Sequence, residues 1–379
     1  FVMLFRQRDL PAVNAQMSRI SADAWLTTVG ERLNQLLAEH AEVKAQLARL
    51  NGSDFVVLMP GLDGPQAMHL VQQIRQLLQS LRVMLASGQW CRWSFALTDY
   101  TPSSSVSGVL ARLDYALMRA ESSGHSEVEF AAYGDEEAGS NLAGENQWRQ
   151  MLVAALAAPD HLSLVVHPMV FKGMAASAEH SEALLSLCPP GGKPLMGSLF
   201  LPVAVRAGMS ADFDLRAVVL GFEWLQAHAG QRLVVRVSLP SLVETEFLPQ
   251  LLGIVRLPAH QSISSRLVLE IDAHHLIAYP EEVTDFCVAM AKDGIGVGLR
   301  RLDQQPMALM RLHTLPLSYV KLGGEFSEQS QRSPGALHLL QAMTETATAL
   351  GIKVYVTDVV DTVTVQLLRE KGALTLQPV

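Results

Sequence analysis

The sequence predicts an α/β protein of two domains: a mixed-sheet α/β domain over residues 1–133 and a (β/α)-type barrel over 147–379, joined by a linker at 134–146. Three observations carry this. The 379 residues exceed one ordinary small domain, and 49% are apolar against 17% charged, enough to fill two cores. Strand-like and helix-like periodicities alternate from end to end. The cycle lengthens after "GDEEAGSNLAGEN" (134–146), a polar stretch bearing Gly and Ser that reads as a linker.

Each element follows from its pattern. "FVMLFR" is a short apolar strand, and "DAWLTTVGERLNQLLAEH" repeats apolar residues at helical spacing. "RLNGSDFVVLMP" reads as a hairpin: Asn51-Gly52 between alternating runs suits a type I′ turn, whose central residues both need φ > 0. A helix "AMHLVQQIRQLLQSLR", a strand "CRWSFALTDY", a helix "VSGVLARLDYALMRAESSG" and a strand "EVEFAAY" complete the first domain.

Beyond the linker, strand-like runs recur at "LSLVVHPMV", "SEALLSL", "LVVRVSL", "LVLEID", "GVGLRR", "YVKLGG", "KVYVTDV" and "ALTLQPV". Amphipathic helices lie between most of them: "DLRAVVLGFEWLQAH", "TEFLPQLLGIV", "EEVTDFCVAMAKDG", "PGALHLLQAMTETATAL" and "TVTVQLLREKG". Eight strands with intervening helices suggest a (β/α) barrel, with an open doubly wound sheet as the alternative.

Composition excludes several classes. Net charge is −8 with no basic run, which argues against a nucleic-acid grip. No window reaches the ~18 apolar residues of a membrane span, and nothing resembles a signal peptide. Cys91, Cys188 and Cys287 lie too far apart for a CxxC zinc site and read as buried, reduced thiols. The expected location is cytoplasmic. The opening "FVMLF" reads as the start of a piece, so an upstream membrane or sensor region stays open.

Two places could carry chemistry. At the hairpin, Gly52, Ser53 and Asp54 with Asp9 and Asn14 upstream could form a worn phosphate and metal site. In the barrel, strand ends present Glu182, Ser238, Glu270 with Asp272, Arg300 with Arg301, Lys321, Asp358 with Asp361, and Gln377. Solvated caps explain some of these, but poorly the Glu inside "VLEID" or the Arg pair after "GVGL". A two-metal hydrolase needs carboxylates converging on cations about 3.5–4 Å apart. Glu182, Glu270 and Asp361 could converge, yet guanidiniums from the fifth strand would pair with them and repel the metal.

These segments resemble the bacterial tandem GGDEF–EAL proteins, which make, break or sense cyclic di-GMP, and the likeness spans essentially the whole chain. "RLNGSDFVVLMP" resembles "RxGGDEFxxLLP", "SEALLSL" resembles "FEALLRW", and "LFLPVAVRAGM" resembles "FIPLAEETGL". "VSLPSL" is similar to "VNLSxxxL", "LVLEID" to "LELEITE" and "VKLGGEF" to "LKIDRSF". The resemblance implies an adenylyl-cyclase-like mixed α/β domain followed by a (β/α)8 TIM-type barrel.

It also implies losses. In the first domain the GGDEF position reads Asn51, Gly52, Ser53, Asp54 and Phe55. Arg6 stands at the first-strand metal aspartate, Glu121 at the phosphate-holding Lys, Ala15 beside the guanine-contacting Asn14, and Val43 with Gln46 at the inhibitory RxxD. Diguanylate cyclase activity is therefore not expected. In the second domain Glu182, Glu270 and Lys321 survive and Asp361 is a shortened Glu, vestigial as catalytic residues, and Gln377 also survives. Glu182, Ser238, Glu270, Arg300, Arg301, Lys321, Asp358 and Gln377 would line a nucleotide site at this mouth. Ser238 replaces the metal-binding Asn, and Arg300 and Arg301 replace the aspartates of "DDFG", so Mg²⁺ or Mn²⁺ binding and phosphodiesterase activity should be lost. The end "LTLQPV" departs from the family continuation, which points to a truncated or altered last βα unit.

Inactive LapD-type members keep nucleotide binding, and "LFLPVAVRAGMSADFDLRAVVL" and "LPLSYVKLGGEF" are similar to that group. Against binding stand Ser186, at a phosphate-clamping Arg, and His167 at a Gln. The expectation is an inactive cyclic di-GMP receptor, which signals to a protein partner or as a homodimer. The alternative is a nucleotide-blind scaffold or adaptor resembling the RNA-turnover regulator CsrD.

Overall fold

A computed structural model describes residues 1–40, 43–85, 90–123, 128–131, 145–171, 180–189, 194–323, 333–357, 359 and 362–378. The chain forms two compact units, the first of Phe1–Ala157 with Pro189–Arg206 and the second of Ala158–Cys188 with Ala207–Val379. Most of the linker read at 134–146 lies outside the described residues, and a helix already begins at Glu145.

In the first unit the strands are β1 (Val2–Gln7), β2 (Gln46–Arg49), β3 (Asp54–Leu58), β4 (Trp93–Thr98) and β5 (Val128–Ala131), in sheet order β2-β3-β1-β4-β5. Only the β4–β5 pair is parallel, the mixed sheet that the sequence predicts. Helices α1 (Leu10–Gln16), α2 (Arg19–Glu39), α3 (Gly64–Ser80) and α4 (Val106–Ser123) connect them. Alternation along β1 divides its side chains between two cores: Met3 and Phe5 pack with Phe55, Val57 and Trp93, while Val2 and Leu4 pack with Leu113 and Leu117 of α4. Phe5 stacks on Phe55 with ring centroids 5.4 Å apart. The unit is completed by α5 (Glu145–Ala157), a two-residue β8 (Leu195–Met196) and α6 (Gly197–Arg206).

The hairpin is present, but its turn is not type I′. Neither Asn51 nor Gly52 has positive φ. Arg49 pairs with Phe55 and Leu50 N donates to Asp54 O, so three residues reverse the chain. Asn51 Oδ1 does the work of the turn, accepting from the amides of Ser53 and Asp54 at 2.9 Å each. An Asn side chain competes well for nearby amides, which removes the need for left-handed backbone.

The second unit is a closed barrel. Its strands are β6 (Leu162–Phe171), β7 (His180–Leu187), β9 (Leu233–Arg236), β10 (Leu267–Asp272), β11 (Gly296–Arg300), β12 (Tyr319–Leu322), β13 (Lys353–Val356) and β14 (Ala373–Pro378). All eight runs read from the sequence are strands, in the circular order β6-β14-β13-β12-β11-β10-β9-β7, closed by β6 against β7. The barrel that the sequence predicts is present, and within it β6 is antiparallel to both β7 and β14. Periodicity shows which face a residue takes, not which way its strand runs. The last described strand pairs on both sides, with Val354 of β13 opposite Ala373 and Phe171 of β6 opposite Leu376.

Helices α7 (Ser210–Ala227), α9 (Phe247–Val255) and α12 (Pro280–Lys292) bury Phe213, Phe222, Phe247 and Phe286. Three short helices, α8 (Leu239–Leu242), α10 (Pro258–Gln261) and α11 (Ala273–Ala278), fall among them. Pro334–Ala349 and Thr362–Glu370 form α13 and α14. Cys91 and Cys287 are buried as expected, whereas Cys188, one residue past β7, is exposed. No helix among the described residues is long and apolar enough to cross a membrane.

Because its side chain holds the turn, Asn51→Gly should lower stability by about 1–2 kcal/mol, although glycine suits a type I′ turn. Urea unfolding followed by Trp fluorescence measures this, and an unchanged midpoint would return the turn to its backbone.

Candidate functional site

Alternate residues along the barrel strands build two interior layers. The lower layer takes His180 from β7, Val234 from β9, Val268 from β10 and Tyr319 from β12, with Tyr355 of β13 against them. Two residues further along the same strands come Glu182, Arg236, Glu270 and Lys321. Layered interiors of this kind follow from the two-residue strand repeat and barrel closure. Here the four side chains named in the upper layer are all charged.

Its contacts are mutual. Lys321 Nζ lies 2.7 Å from Glu182 Oε1 and 2.6 Å from Glu270 Oε1. Arg236 makes a second bridge, with Nη2 donating to Glu182 Oε2 at 3.2 Å and Nε 3.5 Å from Glu270 Oε2. Tyr319 Oη donates to Glu270 Oε1 at 2.7 Å. The Glu270 side chain is completely buried. Burial alone would raise its pKa, but Lys321, Arg236 and Arg300 outweigh that and hold it at about 2. Tyr319 is pushed well above the usual phenol range, first by burial and then by Glu270, and stays a donor.

Gly298 makes room for that phenol. Paired with both Glu270 and Tyr319, it lies where a Cβ would overlap the Tyr319 ring. Asp214 of α7, fully buried and with its pKa raised by burial, accepts from the amide and hydroxyl of Ser238 at 2.8 Å and from Ser241 Oγ at 2.6 Å. The Ser238 hydroxyl proton is therefore directed at Asp214.

The expected meeting of Arg300 and Arg301 with Glu182 and Glu270 is corrected. Both arginines face Asp272 at the end of β10, with Nε at 3.4 Å and 3.7 Å from Oδ1. Asp272 is opposite Arg300 in the β10–β11 register, so the ion pair is the nearest available. Arg301 has φ 57°, left-handed backbone that is uncommon outside glycine. Asp272, His274 and His275 place donor atoms within 4.8 Å of one another, but with two guanidiniums against the carboxylate. Glu182 lies within β7 rather than at its end. Gln377 is an exposed residue of β14, His167 is exposed on β6, and Ser186 is buried on β7. Asp358 and Asp361 lie outside the described residues.

Arg236, Tyr319, His180 and Asp214 escaped the sequence reading. Arg236 left one signal: it shares parity with Val234 and Ser238 in "LVVRVSL", which places it on the inner face once the barrel is granted.

The first unit holds a second charged cluster. Arg6 and Asp54 are direct cross-strand partners, and the guanidinium grips the carboxylate with both Nε–Oδ1 and Nη2–Oδ2 at 2.7 Å. Burial would raise the Asp54 pKa, and Arg6, Ser53 and Asn51 together depress it instead. Glu121 of α4 accepts from Arg6 Nη1 at 3.3 Å and from Arg206 Nη1 of α6 at 2.7 Å. Arg6, Asn51, Asp54, Asp114, Trp148 and Arg206 line a cavity of about 340 Å³. Asn14 is exposed on α1, and Asp9 accepts from Arg92 N at 2.7 Å instead of facing the cluster.

Comparison with known proteins gives the context of both clusters. The EAL domain model matches residues 149–377, and the model of the diguanylate cyclase GGDEF domain matches residues 1–127. The fold is similar to the Vibrio cholerae LapD S helix–GGDEF–EAL structure bound to c-di-GMP, at 17% identity and TM-score 0.78, over 99% of this chain and 88% of that one. The apo form of that protein gives TM-score 0.58 at the same identity, over 99% and 87%. The Pseudomonas aeruginosa FimX EAL domain bound to c-di-GMP gives 0.53 at 21% identity, over 60% of this chain and 93% of that one. No curated protein matches the sequence.

Two outcomes follow from the barrel interior. Burial, then the charge of Lys321, presses the His180 pKa from 6.5 down to about 4. A depressed pKa means the unfolded chain takes the proton first. Stability should therefore fall as pH drops from about 6.5 to 4, by up to about 3 kcal/mol from this group. Urea midpoints across that range should flatten in His180→Phe, and an unchanged slope would remove His180 as the cause. Gly298→Ala should displace the Tyr319 ring from Glu270 and lower Tm by several degrees. An unshifted Tm would deny the close packing.

Proposed function

The chain belongs to the EAL domain family, with a GGDEF domain in tandem ahead of it, and we propose that it is a catalytically inactive receptor of cyclic di-GMP. The observation that carries this reading is the double bridging of Glu182 and Glu270 by Lys321 and Arg236. Two-metal hydrolysis needs those carboxylates to face cations about 3.5–4 Å apart. Here their oxygens face an ammonium and a guanidinium, and a divalent ion entering between them would meet like charge at close range. Arg300 and Arg301 add to that repulsion. These residues do not fit a two-metal centre.

The same cations suit a phosphodiester. Arg236, Lys321, Arg300 and Arg301 stand against Glu182, Glu270 and Asp272, gathering four cations in a chain of net charge −8. Guanidiniums pair well with phosphate oxygens. The c-di-GMP complexes of LapD and FimX, which share this fold, support the same ligand. In the first unit Arg6 grips Asp54 where a cyclase would hold a metal, which supports loss of synthesis as well. Occupancy would pass to a protein partner or a second copy through a conformational change. One observation favours the nucleotide-blind scaffold: every cation named already has a carboxylate.

Calorimetry with cyclic di-GMP, with and without Ca²⁺, should give saturable heat that does not need the metal. No heat at high micromolar ligand would leave the scaffold reading. Excess protein incubated with the dinucleotide and Mn²⁺ should return it intact, and linear product would overturn the inactive assignment.

A further inference from the structure

The charged layer of the barrel is closed on itself, yet unequally. The Lys321 side chain is 10% exposed and lies within 2.7 Å of two carboxylates, so the loss of either leaves it paired. The Arg236 side chain is 43% exposed, and its short contact is the 3.2 Å hydrogen bond to Glu182 Oε2, with Glu270 at 3.5 Å. Glu182 is the more accessible of the two acids, with 15% of its side chain exposed against none for Glu270. Arg236 is also the last residue of β9, where the strand opens toward α8.

A carboxylate and a phosphodiester offer a guanidinium the same thing: two anionic oxygens in a plane that matches its fork. From this geometry we propose that Glu182 is an internal competitor for the phosphate ligand, holding Arg236 until an incoming phosphodiester takes its place. The inference rests on the receptor reading above and adds a specific role within it. Lys321 stays on Glu270 throughout, so the interior keeps its charge balance while Arg236 changes partner. Glu182 then loses one of its two cations and remains close to the bound anion, which sets a penalty on binding. In this receptor the glutamate of the EAL motif opposes its ligand.

The test is a comparison of cyclic di-GMP affinity in the wild type, Glu182→Gln and Arg236→Gln by calorimetry at low and high salt. Glutamine still accepts from Lys321 but carries no charge. Removing a negative charge near a bound phosphate at intermediate dielectric should tighten binding on the order of tenfold. The gain should shrink in high salt. Arg236→Gln, at a half-exposed position, should weaken binding about tenfold or more. Binding by the wild type that is unchanged or weaker in Glu182→Gln would overturn the competitor role and leave the receptor reading standing. Silence in the wild type with binding in Glu182→Gln would support the competitor and show the native site to be held shut. Silence in all three would remove the receptor reading and this inference together. Should Glu182→Gln fail to fold, unaltered affinity in Arg236→Gln would still overturn the proposal.

Discussion

A carboxylate with no exposed surface cannot remain charged in a protein unless cations and donors replace the water it has lost, and Glu270 meets that condition through three neighbours. Much of the barrel interior is arranged around it. Tyr319 must lie flat over β11 to reach it, which requires glycine at 298. Lys321 must stand two residues beyond Tyr319 on the same face, which the strand repeat provides. Arg236 enters because a single ammonium between Glu182 and Glu270 leaves one negative charge over. Removing Lys321 would leave the buried Glu270 without its shortest ion pair, a change that costs several kcal/mol where measured.

The first unit answers the same demand with different residues. Arg6 and Asp54 are cross-strand partners, and one edge of the guanidinium donates to both oxygens of the acid. Glu121 then needs a second cation, which Arg206 supplies. In both units a buried or half-buried carboxylate is held by arginine, Asp54 by Arg6 and Glu182 by Arg236. A guanidinium brings fixed charge, five donors and no dependence on ion supply, and it cannot activate a water molecule as a divalent cation does.

Much of this was legible in the sequence. The eight barrel strands stand out as apolar runs, and Glu270 and Lys321 attract notice because a charged residue within such a run needs a reason. Arg236 did not, because an arginine ending "LVVR" looks like a solvated strand end until the barrel shows which parity faces inward. The partner of the Arg300–Arg301 pair is not legible for a related cause: charge complementarity names several acids, but strand register chooses among them, and register puts Asp272 opposite Arg300. The Asn51 turn illustrates a third limit, since Asn-Gly suits both a left-handed backbone turn and a side-chain cap.

The reversed strand has a consequence for how the chain acquires its shape. β6 opens the second unit and β14 ends its described residues, yet the two lie side by side, with Met169 opposite Pro378. Some 200 residues of sequence must therefore be in hand before that seam can join. During synthesis on the ribosome β6 has β7 as a hairpin partner from the start, and its other edge waits. The waiting edge is a row of unpaired amides and carbonyls, the kind of surface that recruits stray strands. Antiparallel pairing with β7 lets β6 be held locally during that interval, where a parallel first strand would have no early neighbour. The direction of one strand thus bears on whether the barrel closes on itself or aggregates while it is being made.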